Sequence, residues 1–190
     1  MSKKVLIAYG SRYGSTEEVS VKFKKIMENK GFDADLVNLK AKKGKIPNIN
    51  NYSGVLIGSS IRISRWTKEA KKFLKKNARE INSSKIMTGV FLCSGEAADP
   101  VKRPEAVDKY LVQVFNDLGL ELGDHILYDA FGGVFDLSTA SNLGWMNKKI
   151  LNMVADEDPN IVRGEKNDLR DWDQINGFID SFIRKLESSS

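Results

Sequence analysis

The sequence predicts an open α/β sandwich: a five-stranded parallel sheet in the order 2-1-3-4-5, with helices on both faces. Three observations carry that expectation. Short apolar runs alternate with longer segments of helical period, the pattern of linked β-α-β units. Several of those runs are apolar on successive residues, as strands covered on both faces must be. With one cysteine and 41% hydrophobic residues in 190, the chain depends on a sizeable core rather than on staples.

Taken in order, VLIAY (5–9) reads as strand 1 and leads into a helix striped by Val19, Phe23, Ile26 and Met27 and closed by Gly31. ADLVNL (34–39) is strand 2, AKKGKIPNINN (41–51) a loop, and GVLIGSS (54–60) strand 3. A second helix turns Ala70, Phe73, Leu74 and Ala78 inward, and IMTGVFL (86–92) follows as strand 4. Val107, Leu111, Val114, Phe115 and Leu118 stripe a third helix, with Pro104 suited to its first turn and Gly119 to its end. HILYDAF (125–131) is strand 5. The last helix is the most periodic: Ile175, Phe178, Ile179, Phe182, Ile183 and Leu186 follow Asp171, a suitable N-cap. Residues 1–190 are expected to form one domain. An extra segment over about 134–168 precedes the last helix, and within it Leu143, Met146, Ile150, Met153 and Val154 make an amphipathic helix.

Charge and composition exclude several classes. The net charge is +5 and the isoelectric point about 9.2. Yet Lys22, Lys24, Lys25, Lys71, Lys72, Lys75 and Lys76 occupy polar positions of helical patterns, so they read as solvated faces rather than a nucleic-acid surface. No basic stripe interleaved with aromatics is present. A single cysteine, Cys93, excludes an internal disulfide and any multi-cysteine metal site, and points to a reducing, cytoplasmic setting. No run approaches the roughly 20 apolar residues of a membrane span. Membrane contact is not expected; the Leu143–Val154 helix is the one candidate for it. Oligomeric state has no signature in the chain.

The stretch AYGSRYGSTEEVS (8–20) carries the chemistry. It lies at the carboxyl end of strand 1, where open parallel sheets bind ligands. Gly10 and Gly14 allow tight turns and close backbone approach. Ser11, Ser15 and Thr16 offer hydroxyls, and the next helix presents its unbonded N–H groups. Together these suit a phosphate. A Walker A loop would need Lys after its last glycine, a dinucleotide fingerprint a third glycine, and a phospho-receiver acidic residues at the end of strand 1. None is present, which leaves a phosphate monoester. Ser15 and Glu18 also match a capping box, which would merely start a helix.

Two further loops share that edge. GSSIRISRW (58–66), after strand 3, has small residues and then Ile61, Ile63 and Trp66, any of which could cover a planar ring; Trp66 alternatively staples the second helix. CSGEAADP (93–100), after strand 4, closes the far side, although a lone cysteine such as Cys93 is more often a small buried apolar residue. His125 begins strand 5 at the opposite end and reads as structural.

At these residues the chain resembles flavodoxin-like FMN proteins over its full length, with GSRYGST in place of their S/T-x-T-G-x-T loop. It is most similar to the branch of menaquinone-dependent protoporphyrinogen oxidases, in RYGSTEEVS, in YSGVLIGSSIR with KKFLKKNARE, and in DWDQINGFIDSFIRKL. The run Ser60, Ile61, Arg62 is the most distinctive. The resemblance implies a flavodoxin-like three-layer sandwich with non-covalent FMN as cofactor. By position, Ser11, Arg12, Tyr13, Gly14, Ser15 and Thr16 would hold its phosphate. Ser59, Ser60, Ile61, Arg62 and Ile63 would line one side of the ring, and Cys93, Ser94 and Gly95 the other.

The chain departs from the porphyrinogen-oxidising members after Gly132 and Gly133, where VFDLSTASNLGWMNKK lacks their arginines and most of their aromatics. Its basic isoelectric point departs from ordinary flavodoxin carriers. The expected activity is an FMN oxidoreductase exchanging electrons with a quinone-like or porphyrinogen-like acceptor. The alternatives are an FMN electron carrier docking to proteins and an interaction module that binds nothing. No catalytic side chain is expected, because the cofactor carries the redox step.

Overall fold

A computed structural model describes residues 3–41, 46–138 and 161–188. Five parallel strands, β1 (Lys4–Gly10), β2 (Asp33–Asn38), β3 (Gly54–Ser60), β4 (Met87–Cys93) and β5 (Ile126–Phe131), form one sheet in the order β2-β1-β3-β4-β5. Every residue of β3 and β4 is buried, which is why these stretches are apolar without alternation. Register is continuous across the sheet: Ile7 pairs with Leu56, Leu56 with Gly89, and Gly89 with Leu127.

Successive residues of each strand serve opposite faces. Val5, Ile7, Leu56 and Phe91 pack under α1 (Ser15–Asn29) and the last helix, α5 (Trp172–Ser188). Leu6, Ala8, Val55, Ile57, Val90 and Leu92 pack against α2 (Lys68–Ser84), α3 (Arg103–Val107) and α4 (Gln113–Leu118). The α1/α5 face is aromatic: Phe23 lies 5.0 Å edge-on to Phe91, and Phe131 lies 5.5 Å from Phe178. The expected caps form. Asp171 accepts from the amides of Asp173 and Gln174, and Gly119 closes α4 at φ 68. Some features of the helical layers and loops have no counterpart in the sequence reading. A π turn over Asp108–Val112 joins α3 to α4, and a one-turn 3-10 helix, Ile49–Asn51, precedes β3.

The ends of the extra segment are strands. β6 (Val134–Asp136) and β7 (Lys166–Asp168) pair antiparallel, with Phe135 opposite Asn167. Asn167 locks the approach to β7, its amide bonding the backbone of Val162 in both directions. The helix expected over Leu143–Val154 lies outside the described residues. Among the described residues, no helix is long and apolar enough to cross a membrane, and no three His, Cys, Asp or Glu side chains cluster to hold a metal.

At Gly58 an added Cβ would collide with the Phe91 ring and lie 3.0 Å from Thr16 Cγ2. Gly58→Ala is expected to cost about 1–3 kcal/mol by overpacking, read as a lower urea midpoint with an unchanged slope.

Candidate functional site

The loop from β1 to α1 closes on itself before the helix begins. Ser11 Oγ accepts from the amide of Gly14 at 3.0 Å, and Gly14 turns at φ 95, a left-handed value that glycine adopts without strain. The helix starts at Ser15, with Gly14 as its N-cap and no side-chain cap. The capping box therefore does not form, because Ser15 sits one position too late to act as N-cap. Its hydroxyl instead accepts from the amide of Val134, and Glu18 pairs with Arg170 at 2.7 Å. Glu17 accepts from the Tyr9 hydroxyl at 2.7 Å. Both first-turn carboxylates are thus engaged by side chains. The amides of Ser15, Thr16 and Glu17 find no acceptor among the described residues.

Arg12 reaches across the edge. Its guanidinium donates to the carbonyls of Ser60 (2.8 Å), Arg65 (3.0 Å) and Trp66 (2.6 Å), tying the first loop to the second. Burial first, then the neighbouring Arg62, lowers its pKa, but an arginine stays charged at any physiological pH. Tyr13 faces Arg62, whose guanidinium carbon is 5.9 Å from the ring centroid, and Lys40 Nζ donates to Ser11 O. The rim is cationic.

The second loop is a short hairpin. Arg62 and Arg65 exchange backbone bonds of 3.0 and 3.1 Å around Ile63 and Ser64, which sit at φ 47 and φ 54. Two positive φ values are what a two-residue reversal of type I′ needs, and asparagine and glycine are its usual occupants. A β-branched residue there is an outlier. Ile63 is 70% exposed at the tip. Ile61 continues the β3–β4 ladder by donating to Cys93 O and packs partly into the α2 face. Trp66 is buried on that same face and donates to Tyr110 O at 2.7 Å, so it staples rather than covers a ring. Ser59 is buried too, its hydroxyl shared with the amide and hydroxyl of Thr67.

The third loop closes the edge. Cys93 points into the α1/α5 layer, where burial pushes its thiol up to about 12. Ser94 accepts from the Ala97 amide, and its own amide donates to Phe131 O. Gly95 leaves room for Phe135, whose ring lies where a Cβ would be. Two hydroxyls at this edge, Thr16 Oγ1 and Ser60 Oγ, are buried and have no hydrogen-bond partner among the described residues.

The three loops expected to share an edge do so, and His125 lies at the sheet's other end. Phe135, Tyr110 and Arg170 join them without having been anticipated. Arg170, with a side chain 3% exposed, binds Glu18 and Asp168 and lies 4.5 Å from the Trp172 ring, so it clamps the foot of β7 to the start of α1. Phe135 follows the glycine pair 132–133, a weak signal for an aromatic laid over backbone. Tyr110 falls on the apolar stripe of the third helix, where a buried phenol requires a partner.

A model of the flavodoxin domain matches residues 6–160. The chain belongs to the flavodoxin domain family. Proteins of Escherichia coli K12 and O157:H7 named protoporphyrinogen IX dehydrogenase (quinone) are 29% identical to it over 107 residues, 56% of this chain and 57% of theirs. This chain thus spans only a little over half the length of those relatives. A crystal structure of a Fusobacterium nucleatum flavodoxin variant bound to flavin mononucleotide aligns over 100% of this chain and 98% of that one, at a TM-score of 0.51 and 13% identity. That is a likeness of fold.

Two outcomes are expected of this flavodoxin domain. Arg12→Lys keeps the charge but loses the planar fork, and should lower unfolding free energy by about 1–2 kcal/mol in urea. With its pKa raised to about 12, Cys93 should stay protonated at pH 8 and react with an aromatic disulfide reagent only as fast as the protein opens.

Proposed function

We propose that the protein binds FMN at the carboxyl edge of its sheet and works as a redox flavoprotein. The observation that carries this reading is the pair of buried, unpartnered hydroxyls, Thr16 Oγ1 and Ser60 Oγ, beside three unbonded first-turn amides. Buried polar atoms without partners are costly, and a ligand's oxygens would complete them. The cationic rim of Arg12, Arg62, Arg65 and Lys40 suits a dianionic phosphate. The residues present therefore fit the cofactor that the family membership suggests.

Bound FMN supplies one- and two-electron transfer. The chain's own part is to bind and to orient. Ser11, Gly14, Ser15 and Thr16 would take the phosphate, with Arg12 and Tyr13 bracing that loop against the second. Ser60, Ile61, Arg62 and Ile63 would line one side of the ring. Ser94 and Gly95, overlaid by Phe135, would line the other. Ser59 would act from beneath, through Thr67, and Cys93 by packing in the layer under the third loop. No general acid or base is needed.

The finer reading is an oxidoreductase exchanging electrons with a quinone-like or porphyrinogen-like acceptor, supported by the partial likeness to the two Escherichia coli dehydrogenases. The alternative is a carrier that docks to protein partners. Steady turnover of a small quinone with a reduced donor distinguishes the first, and electron exchange with proteins alone the second.

The purified protein is expected to show the visible absorption of bound flavin, or to acquire it on adding FMN; a colourless protein that takes up none overturns the proposal. Thr16→Val removes a hydroxyl that has no partner in the ligand-free protein. It should leave unfolding stability unchanged or slightly raised, yet weaken FMN binding by about tenfold or more, the worth of one bond to a charged group. Titration by flavin fluorescence quenching measures it.

A further inference from the structure

The hairpin after β3 is built on an unfavourable turn. Ile63 and Ser64 both occupy the left-handed region, at φ 47 and φ 54, and neither is glycine or asparagine. Non-glycine residues in this region are strained and persist only where their surroundings hold them. The two Arg62–Arg65 backbone bonds close the turn but do not aim it. Arg12 grips only its base, through the carbonyls of Ser60, Arg65 and Trp66.

The tip is held from elsewhere. The Tyr110 hydroxyl lies 3.1 Å from Ser64 Oγ and donates to Glu96 Oε1 at 2.8 Å. With the phenol proton on Glu96, Ser64 donates to the phenol oxygen. Tyr110 is 2% exposed and sits in the π turn that joins α3 to α4. Its carbonyl also accepts from Trp66 Nε1 at 2.7 Å. One residue thus contacts the second loop twice and the third loop once. Lys109 Nζ lies 3.8 Å from Glu96 Oε2, so the carboxylate also has a cation beside it. π turns recur at functional sites because they redirect side chains that a regular helix would point elsewhere.

We propose that Tyr110 is a positioning residue: its hydroxyl, shared between Ser64 and Glu96, spans the loops after β3 and β4 and sets the spacing of the walls between which the ring lies. The inference rests on the flavin reading above and deepens it.

Tyr110→Phe tests this cleanly, since it keeps the buried ring and the carbonyl that Trp66 uses and removes only the shared oxygen. Glu96 and Ser64 are exposed, so neither is left stranded in the core. In the ligand-free variant, hydrogen exchange at the Arg62 and Arg65 amides should speed up roughly fivefold, while strand amides and the global unfolding midpoint stay within error. FMN affinity should fall by a similar factor, and the midpoint potential of bound FMN should shift upward as water gains the ring edge. Ser64→Ala should reproduce part of the exchange effect, and the double variant should be no worse than Tyr110→Phe alone, because the Ser64 bond is one of the two that Tyr110→Phe already removes. Unchanged exchange at Arg62 and Arg65, or additive single effects, overturns the proposal. So does a fall in unfolding midpoint with unchanged potential and affinity, which marks Tyr110 as structural only. If wild-type protein binds no FMN, the flavin reading fails by itself, and the exchange measurement alone decides whether Tyr110 ties the loops.

Discussion

Parallel strands leave their connecting loops side by side but do nothing to join them, and here Arg12 does the joining. One guanidinium satisfies three carbonyls of the loop after β3 and has no carboxylate among its hydrogen-bond partners. A planar fork suits that task, because its donors diverge in fixed directions while a lysine ammonium would serve one carbonyl well. The consequence is electrostatic as well as mechanical. Its charge is shared with backbone dipoles rather than cancelled, so it still counts toward an anion at the same edge. The aromatic layer beneath, Phe23 against Phe91 and Phe131 against Phe178, makes the floor on which those loops stand.

Most of the fold was legible because its signals are local. Strands buried on both faces read as unbroken apolar runs, and the helical stripes of α1, α2 and α5 recur at the period of a turn. Asp171, Pro104 and Gly119 marked helix ends through chemistry that needs no distant partner. The π turn at Asp108–Val112 was not legible, since one added residue per turn leaves an apolar stripe almost intact. Nor were β6 and β7, whose three residues each carry too little period to register.

The site was legible as an edge but not as a set of side-chain directions. Small residues and hydroxyls after β1, β3 and β4 marked where a ligand belongs. Which of them face it depends on partners far along the chain. Ser15 is met by Val134, 119 residues away, and Glu18 is drawn to Arg170. Trp66 goes inward because Tyr110 offers a carbonyl there. Gly10 illustrates the same limit: its missing Cβ makes room for the Thr67 side chain rather than for a ligand. Composition alone cannot separate these cases.

The antiparallel pairing of Val134–Asp136 with Lys166–Asp168 brings two distant points of the chain together beside the candidate site. Whatever length of polypeptide runs between such paired feet, the parallel sheet sees the same junction. Lengthening a closed loop is thermodynamically mild, about 0.6 kcal/mol for each doubling. A scaffold with this kind of junction can exchange one attachment for another over evolutionary time, acquiring new recognition beside an old cofactor cleft while leaving strand order and cleft untouched.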